Sequence, residues 1–115
     1  MNALSNQVQL IGHLGADPEI INLNQRKKVS LRMATNESYK NDKGEWVTDT
    51  QWHNVVAWGK TTEIIEKLFK KGSHLAVSGK LVNRDYEDKD GNRRYITEII
   101  LRDFMKLSKE EKDIQ

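Results

Sequence analysis

The chain has 115 residues and a mass of 13.3 kDa, enough for one domain with little to spare. Hydrophobic residues make up 37% and charged residues 31%, and 19 Lys and Arg against 17 Asp and Glu leave a net charge of only +2. With no Cys there is no disulfide framework, thiolate zinc site or cysteine nucleophile. The longest unbroken apolar run, Val55 to Trp58, falls far short of the roughly 20 residues of a spanning helix. Met1 to Leu10 lacks the layout of a secretory signal, so a soluble, cytoplasmic protein with no membrane partner is expected. Bulk charge barely points to a polyanion, so a nucleic-acid ligand must be argued from where charges and aromatics sit.

Strand periodicity dominates the chain. Val8, Leu10, Gly12 and Leu14 alternate as one buried face, with Gly12 at a bulge or bend. Asp17-Pro18 breaks this first strand, and Glu19 to Leu23 continues it. Val29, Leu31 and Met33 alternate with Ser30, Arg32 and Ala34 as a second strand. Residues Glu37 to Asp49 are mostly polar, contain Asn41-Asp42-Lys43-Gly44, and read as the tip of a long hairpin. A third strand runs from about Thr50 to Trp58. One helix follows, with Thr61-Thr62 as the N-cap, Ile64, Ile65, Leu68 and Phe69 as its apolar stripe, and Gly72 at its C-terminal stop. Leu75, Val77, Gly79 and Leu81 form a fourth strand, Asp90-Gly91 a second hairpin turn, and Tyr95 to Leu101 a fifth strand. This is the element order of an all-β, five-stranded OB-fold barrel with a helix between strands three and four, over residues 1–107. Residues 108–115 form a short polar tail.

The aromatics are the most informative set. Trp52 and Trp58 are six residues apart on one strand, so both leave the same face, opposite His53, Val55 and Ala57. Two tryptophans on the face opposite a small apolar stripe want a partner. Stacked bases or a subunit interface would each supply one. Arg84 and Tyr86 share a strand face, and Arg93 and Arg94 lie across the Asp90-Gly91 turn. Basic groups interleaved with aromatics suit single strands, although Asp85, Glu87, Asp88 and Asp90 in the same hairpin also fit a solvated, mixed-charge face. Arg26-Lys27-Lys28 is a further basic run, read either as a phosphate contact or as exposed loop. His13, His53 and His74 show no metal-ligand spacing and read as structural residues. No phosphate loop or nucleophile elbow occurs, so neither an enzyme, a metal nor a cofactor is expected.

At this point the chain resembles the bacterial single-stranded DNA-binding protein family. The resemblance rests on Gln7-Val-Gln-Leu-Ile-Gly-His-Leu-Gly-Ala-Asp-Pro-Glu19 and Gln51-Trp-His-Asn-Val-Val-Ala-Trp-Gly-Lys60. Phe69-Lys-Lys-Gly-Ser73, Val77-Ser-Gly-Lys-Leu81 and Asp90-Gly-Asn-Arg-Arg-Tyr95 follow in the family's order. It covers nearly the whole chain, from Asn6 to Leu107. It implies a homotetrameric OB-fold that binds single-stranded DNA in replication, recombination and repair, in the bacterial cytoplasm at the nucleoid. It also implies that Tyr39, Trp52, Trp58 and Tyr86 stack on bases and that Lys60, Arg84 and Arg94 contact phosphates. His53 matches a position near the subunit interface, whereas Trp46 has no clear counterpart.

Typical members of that family end in a long linker and an acidic tip that recruits other proteins, whereas this sequence stops at Lys112-Asp-Ile-Gln115. The expectation is therefore a short form in which recruitment of repair and replication proteins through such a tip is doubtful. An OB-fold subunit of a replication-restart complex, working through protein contacts, is the alternative reading. An RNA or oligosaccharide binder on the same fold is a more distant one.

Overall fold

Alternation of apolar and polar residues builds nearly every element here, and the alternate apolar positions meet in one core. The computed structural model describes residues 3–107. After a 3-10 turn at Ala3–Ser5 come β1 (Val8–Leu14), β2 (Glu19–Leu23), β3 (Arg26–Lys40), β4 (Trp46–Trp58), α1 (Lys60–Leu68), β5 (His74–Glu87) and β6 (Arg93–Leu107). The strands form one sheet in the order β1-β5-β6-β4-β3-β2, and β1 also pairs with β3 at His13↔Ala34 and Leu14↔Met33. That extra pairing closes the sheet into a barrel.

β1 and β2 run in the same direction along β3, interrupted around Asp17-Pro18, so they are two halves of the first barrel strand. Counted that way, the barrel has five strands, the helix lies between the third and fourth, and the fold is an OB-fold. Gly12 sits where β1 crosses β3: a β-carbon there would run into the Ala34 carbonyl. The bulge itself falls elsewhere, on β6, where Arg102 is skipped between the pairs Ser78↔Asp103 and Gly79↔Leu101.

The core comprises Leu14, Val29, Leu31, Met33, Val55, Ala57, Leu75, Val77 and Ile99 from the strands, with Ile65 and Phe69 from the helix region. On β3, Val29, Leu31 and Met33 point inward while Ser30 and Arg32 point out, as the alternation predicts. Burying such side chains contributes about 1.5–3 kcal/mol each, which is why β3 cannot slip by one residue.

Three local expectations need correction. Glu37 to Asp49 does lie at the end of a long hairpin, but its tip is shorter than expected: β3 runs to Lys40 and β4 resumes at Trp46, leaving only 41–45 as the turn. Both faces of this ribbon are wet beyond the barrel, so its strands need no apolar residues, and polar pairs replace them. The Ser38 and Thr48 hydroxyls are 3.1 Å apart, and the Thr50 hydroxyl donates to Asn36 at 2.7 Å. Asn41 Oδ1 closes the turn by accepting from the backbone N–H of Lys43 and Glu45, and Gly44 supplies a φ of 80°.

Nor do Thr61 and Thr62 cap the helix. Gly59, at a φ of 77°, turns the chain directly from β4 into α1, so both threonines lie in the first turn and no side chain caps the end. Thr62 is buried instead, its hydroxyl 3.5 Å from the Lys27 carbonyl.

The helix ends at Leu68 rather than at Gly72. Phe69 takes an extended conformation because its ring is drawn into the core, edge-on to Phe104 at 5.7 Å. The expected apolar stripe therefore splits: Ile65 and Phe69 are buried, whereas Ile64 and Leu68 stay largely exposed. The polar tail expected over 108–115 lies outside the described residues.

Candidate nucleic-acid interface

Strand register decides which side chains share a surface. β3 pairs with β4 through Lys28↔Trp58, Arg32↔Asn54 and Ala34↔Trp52. β4 runs parallel to β6 through Val56↔Ile100, and β6 pairs with β5 through Lys80↔Ile100, Val82↔Glu98 and Tyr86↔Arg94. Paired residues project to the same side. One continuous outer face therefore carries Trp52 and Trp58 from β4, Arg84 and Tyr86 from β5, Arg94 from β6, and Lys28 and Arg32 from β3. Trp52 and Tyr86 are 49% and 45% exposed, so each offers a ring surface to solvent.

Tyr39 does not join them. It pairs with Val47, on the opposite face of the β3–β4 ribbon, where it is 46% exposed.

A cation lies over each of these outer-face rings. Arg26 sits 4.4 Å and Lys28 5.6 Å from the Trp58 ring centre, Arg32 5.2 Å from that of Trp52, and Arg84 5.8 Å from that of Tyr86. Such contacts hold the long basic side chains beside the aromatic surfaces, where phosphates would follow stacked bases. Trp58 also walls two depressions. One, of about 500 Å³, is lined by Arg26, Lys27, Lys60 and Glu63 and lies at the start of α1. The other, of about 480 Å³, has Val56, Val82 and Ile100 with Trp58, Lys28 and the Arg84–Glu98 pair around it. Its apolar surface beneath a basic edge suits a flat ring carrying a negatively charged backbone.

Two of the expected phosphate contacts are already ion-paired. Arg84 donates from Nε and Nη2 to the two Glu98 oxygens at 3.0 and 3.2 Å, and Glu98 is buried. Hydrogen bonding from Arg84 holds the Glu98 carboxyl below the usual carboxylate range, against the opposing effect of burial. Arg94 donates to Asp88 at 2.8 Å and so braces the β5–β6 turn, where hydrogen bonding from Arg94 likewise lowers the Asp88 carboxyl. Lys60, the first residue of α1, is exposed.

The histidines divide by position. His53 is part-buried, 2.9 Å from the Thr35 hydroxyl. His13 and His74 pair across β1 and β5 with their rings stacked at 4.3 Å. Among the described residues, no group of three or more potential metal-ligating side chains occurs. No helix among them is long and apolar enough to cross a membrane.

Sequence reasoning missed Arg32, and it left Arg26 and Lys28 as an ambiguous basic run. The clue to Arg32 was its alternation with Leu31 and Met33, which marks it as outward-facing. Only the β3–β4 register shows that it falls beside Trp52.

The sequence profile of the single-strand binding protein family matches residues 5–107, and the chain belongs to that family. Its members are non-enzymatic binding proteins. A Xylella fastidiosa (strain 9a5c) protein named single-stranded DNA-binding protein 1 is 41% identical over 108 residues, covering 92% of this chain and 79% of that one. A protein of the same name from Chlorobaculum tepidum is 39% identical over 104 residues, covering 89% of this chain and 64% of its relative. Among solved structures, a Plasmodium falciparum SSB in complex with ssDNA superimposes with a TM-score of 0.81 at 32% identity, covering 90% of this chain and 95% of the other. A deletion mutant of the Thermus aquaticus single-stranded DNA-binding protein gives 0.77 at 26% identity, covering 90% and 51%.

Proposed function

We propose that this protein binds single-stranded DNA with little sequence preference and protects it during replication, recombination and repair. The observation that carries this reading is the outer face itself, on which exposed rings and basic side chains alternate along four adjoining strands. Trp52, Trp58 and Tyr86 stack on bases there, with Tyr39 contributing from the other side of the ribbon. Lys60, Arg84 and Arg94 contact phosphates, joined by Arg26, Lys28 and Arg32. Family membership and the likeness to an SSB in complex with ssDNA support the same ligand. Residues 1–107 are the binding unit, acting in the cytoplasm at the nucleoid.

The protein works as a homotetramer in this reading. Ile11, Ala76 and Met105 lie side by side across β1, β5 and β6, and Ile11 and Met105 are largely exposed. Such an apolar strip suits burial against another subunit.

The test is a fluorescence titration with oligo-thymidine and with duplex DNA, paired with light scattering. Single strands should quench the tryptophans and bind more tightly than duplex, and added salt should weaken binding. Trp52→Ala combined with Trp58→Ala should lower affinity while the oligomer persists. Equal affinity for single and double strands would overturn the proposal, and loss of assembly in the double variant would favour an interface role for the tryptophans.

A further inference from the structure

Trp46 is the most exposed of the chain's three tryptophans, at 70%, although it lies on a well-paired strand. It stands six residues before Trp52, which stands six before Trp58, so all three project from the same face of β4 at steps of about 20 Å. Each has a basic side chain from β3 above its ring: Lys40 at 5.6 Å for Trp46, Arg32 at 5.2 Å for Trp52, and Arg26 at 4.4 Å for Trp58. The pairing of an indole with a cation thus recurs along β4, and the last copy lies beyond the barrel at the base of the 41–45 turn.

The surface between Trp46 and Trp52 is low and polar. Ser38 and Thr48 bond to each other there, as do Asn36 and Thr50, so no bulky side chain interrupts the path. A tryptophan at this position contributes little to the core, which lies on the other face of the sheet. Its ring and its lysine match the chemistry of the two inner units.

We propose that Trp46 and Lys40 form an outer stacking site for single-stranded DNA, extending the track along the β3–β4 arm to its tip. This rests on the single-stranded DNA reading above and adds a contact residue to it. The indole stacks on a base and the Lys40 ammonium neutralises the adjoining phosphate.

The test compares the native protein with Trp46→Ala and Trp46→Tyr, using oligo-thymidine from about 4 to 16 nucleotides, the range covered by one OB-fold. Trp46→Ala should bind the shortest oligonucleotides almost as the native protein does. With longer ones it should lose affinity by about 5- to 100-fold. Trp46→Tyr, which keeps a π-face, should recover most of that loss.

A second measurement uses Trp52→Phe combined with Trp58→Phe, in which Trp46 is the one indole left. Its fluorescence should be quenched as oligonucleotide is added. If Trp46→Ala binds every length like the native chain, or the remaining indole shows no quenching on a bound oligonucleotide, the outer site does not exist. A change in oligomeric state with unchanged affinity would make Trp46 a subunit contact and overturn the proposal. If the native protein itself binds no oligo-thymidine, the underlying reading fails, and that result is distinct from the others.

Discussion

The indole of Trp52 rests on Gly15. A β-carbon at that glycine would lie 2.6 Å from ring atom Cη2, well inside van der Waals contact. The Gly15 N–H donates to the Arg32 carbonyl at 2.8 Å, which places the glycine beside the strand that carries the cation over the same ring. Ala34, paired with Trp52, is small as well, so the ring lies low across β3.

Gly15→Ala should therefore displace the Trp52 ring while leaving the interior of the barrel intact. The expected outcome is a shift in tryptophan emission and an approximately fivefold weaker affinity for oligo-thymidine, equivalent to about 1 kcal/mol of lost stacking. Thermal unfolding followed by circular dichroism checks that the fold persists.

Arg32 tests the cation side of the same unit. Its guanidinium lies over Trp52 and donates to Asn54 at 3.2 Å. Arg32→Ala should weaken binding of all sequences alike and reduce the slope of log affinity against log salt by about 1, the mark of one lost phosphate contact. Affinities measured across a salt series give that slope directly.

Glu98 links the face to stability. Its carboxyl is held below the usual range in the folded protein, chiefly by Arg84, so the folded state binds its proton less readily than the unfolded chain. The pair therefore stabilises the fold above the ordinary glutamate range, and that contribution is lost as pH falls through the lowered folded value. Arg84→Ala leaves the buried carboxylate without this partner and should cost about 1–3 kcal/mol near neutral pH. Urea unfolding at a series of pH values should show a smaller acid-induced loss in Glu98→Gln than in the native protein.

Tyr39 offers a test of geometry. It lies on the opposite face of the ribbon from Trp52 and about five residues along β3 from the Ala34 partner, a separation of ~16 Å. Tyr39→Ala and Trp52→Ala should each weaken binding, and their effects should add to within about 0.5 kcal/mol. Arg32→Ala and Trp52→Ala share one unit and should not add. Double-mutant cycles on oligo-thymidine affinity distinguish the two cases.

How much of this was legible beforehand follows from the range over which each property is set. The alternation of Val29, Leu31 and Met33 with Ser30 and Arg32 announced β3, and the even spacing of Trp52 and Trp58 put both on one face, because side-chain direction along a strand depends only on counting by two. Composition misled where strands leave the core. Ser38 and Thr48 read as hairpin tip because nothing in the interior required them to be apolar, yet they pair across a ribbon wetted on both faces. The threonine cap failed for a related reason: a single positive-φ residue, Gly59, started the helix earlier than its side chains suggested.

One small domain of net charge +2 has no bulk property that singles out a ligand, so function rests on the placement of residues; residue order alone determined most of the barrel's elements, their inward faces and the aromatic positions. Tertiary structure decided which cation lies over which ring, which arginines are already paired, and why Tyr39 stands apart from Trp52. Those outcomes depend on register between strands distant in the chain, and register is set by how the whole core packs rather than by any neighbouring residue.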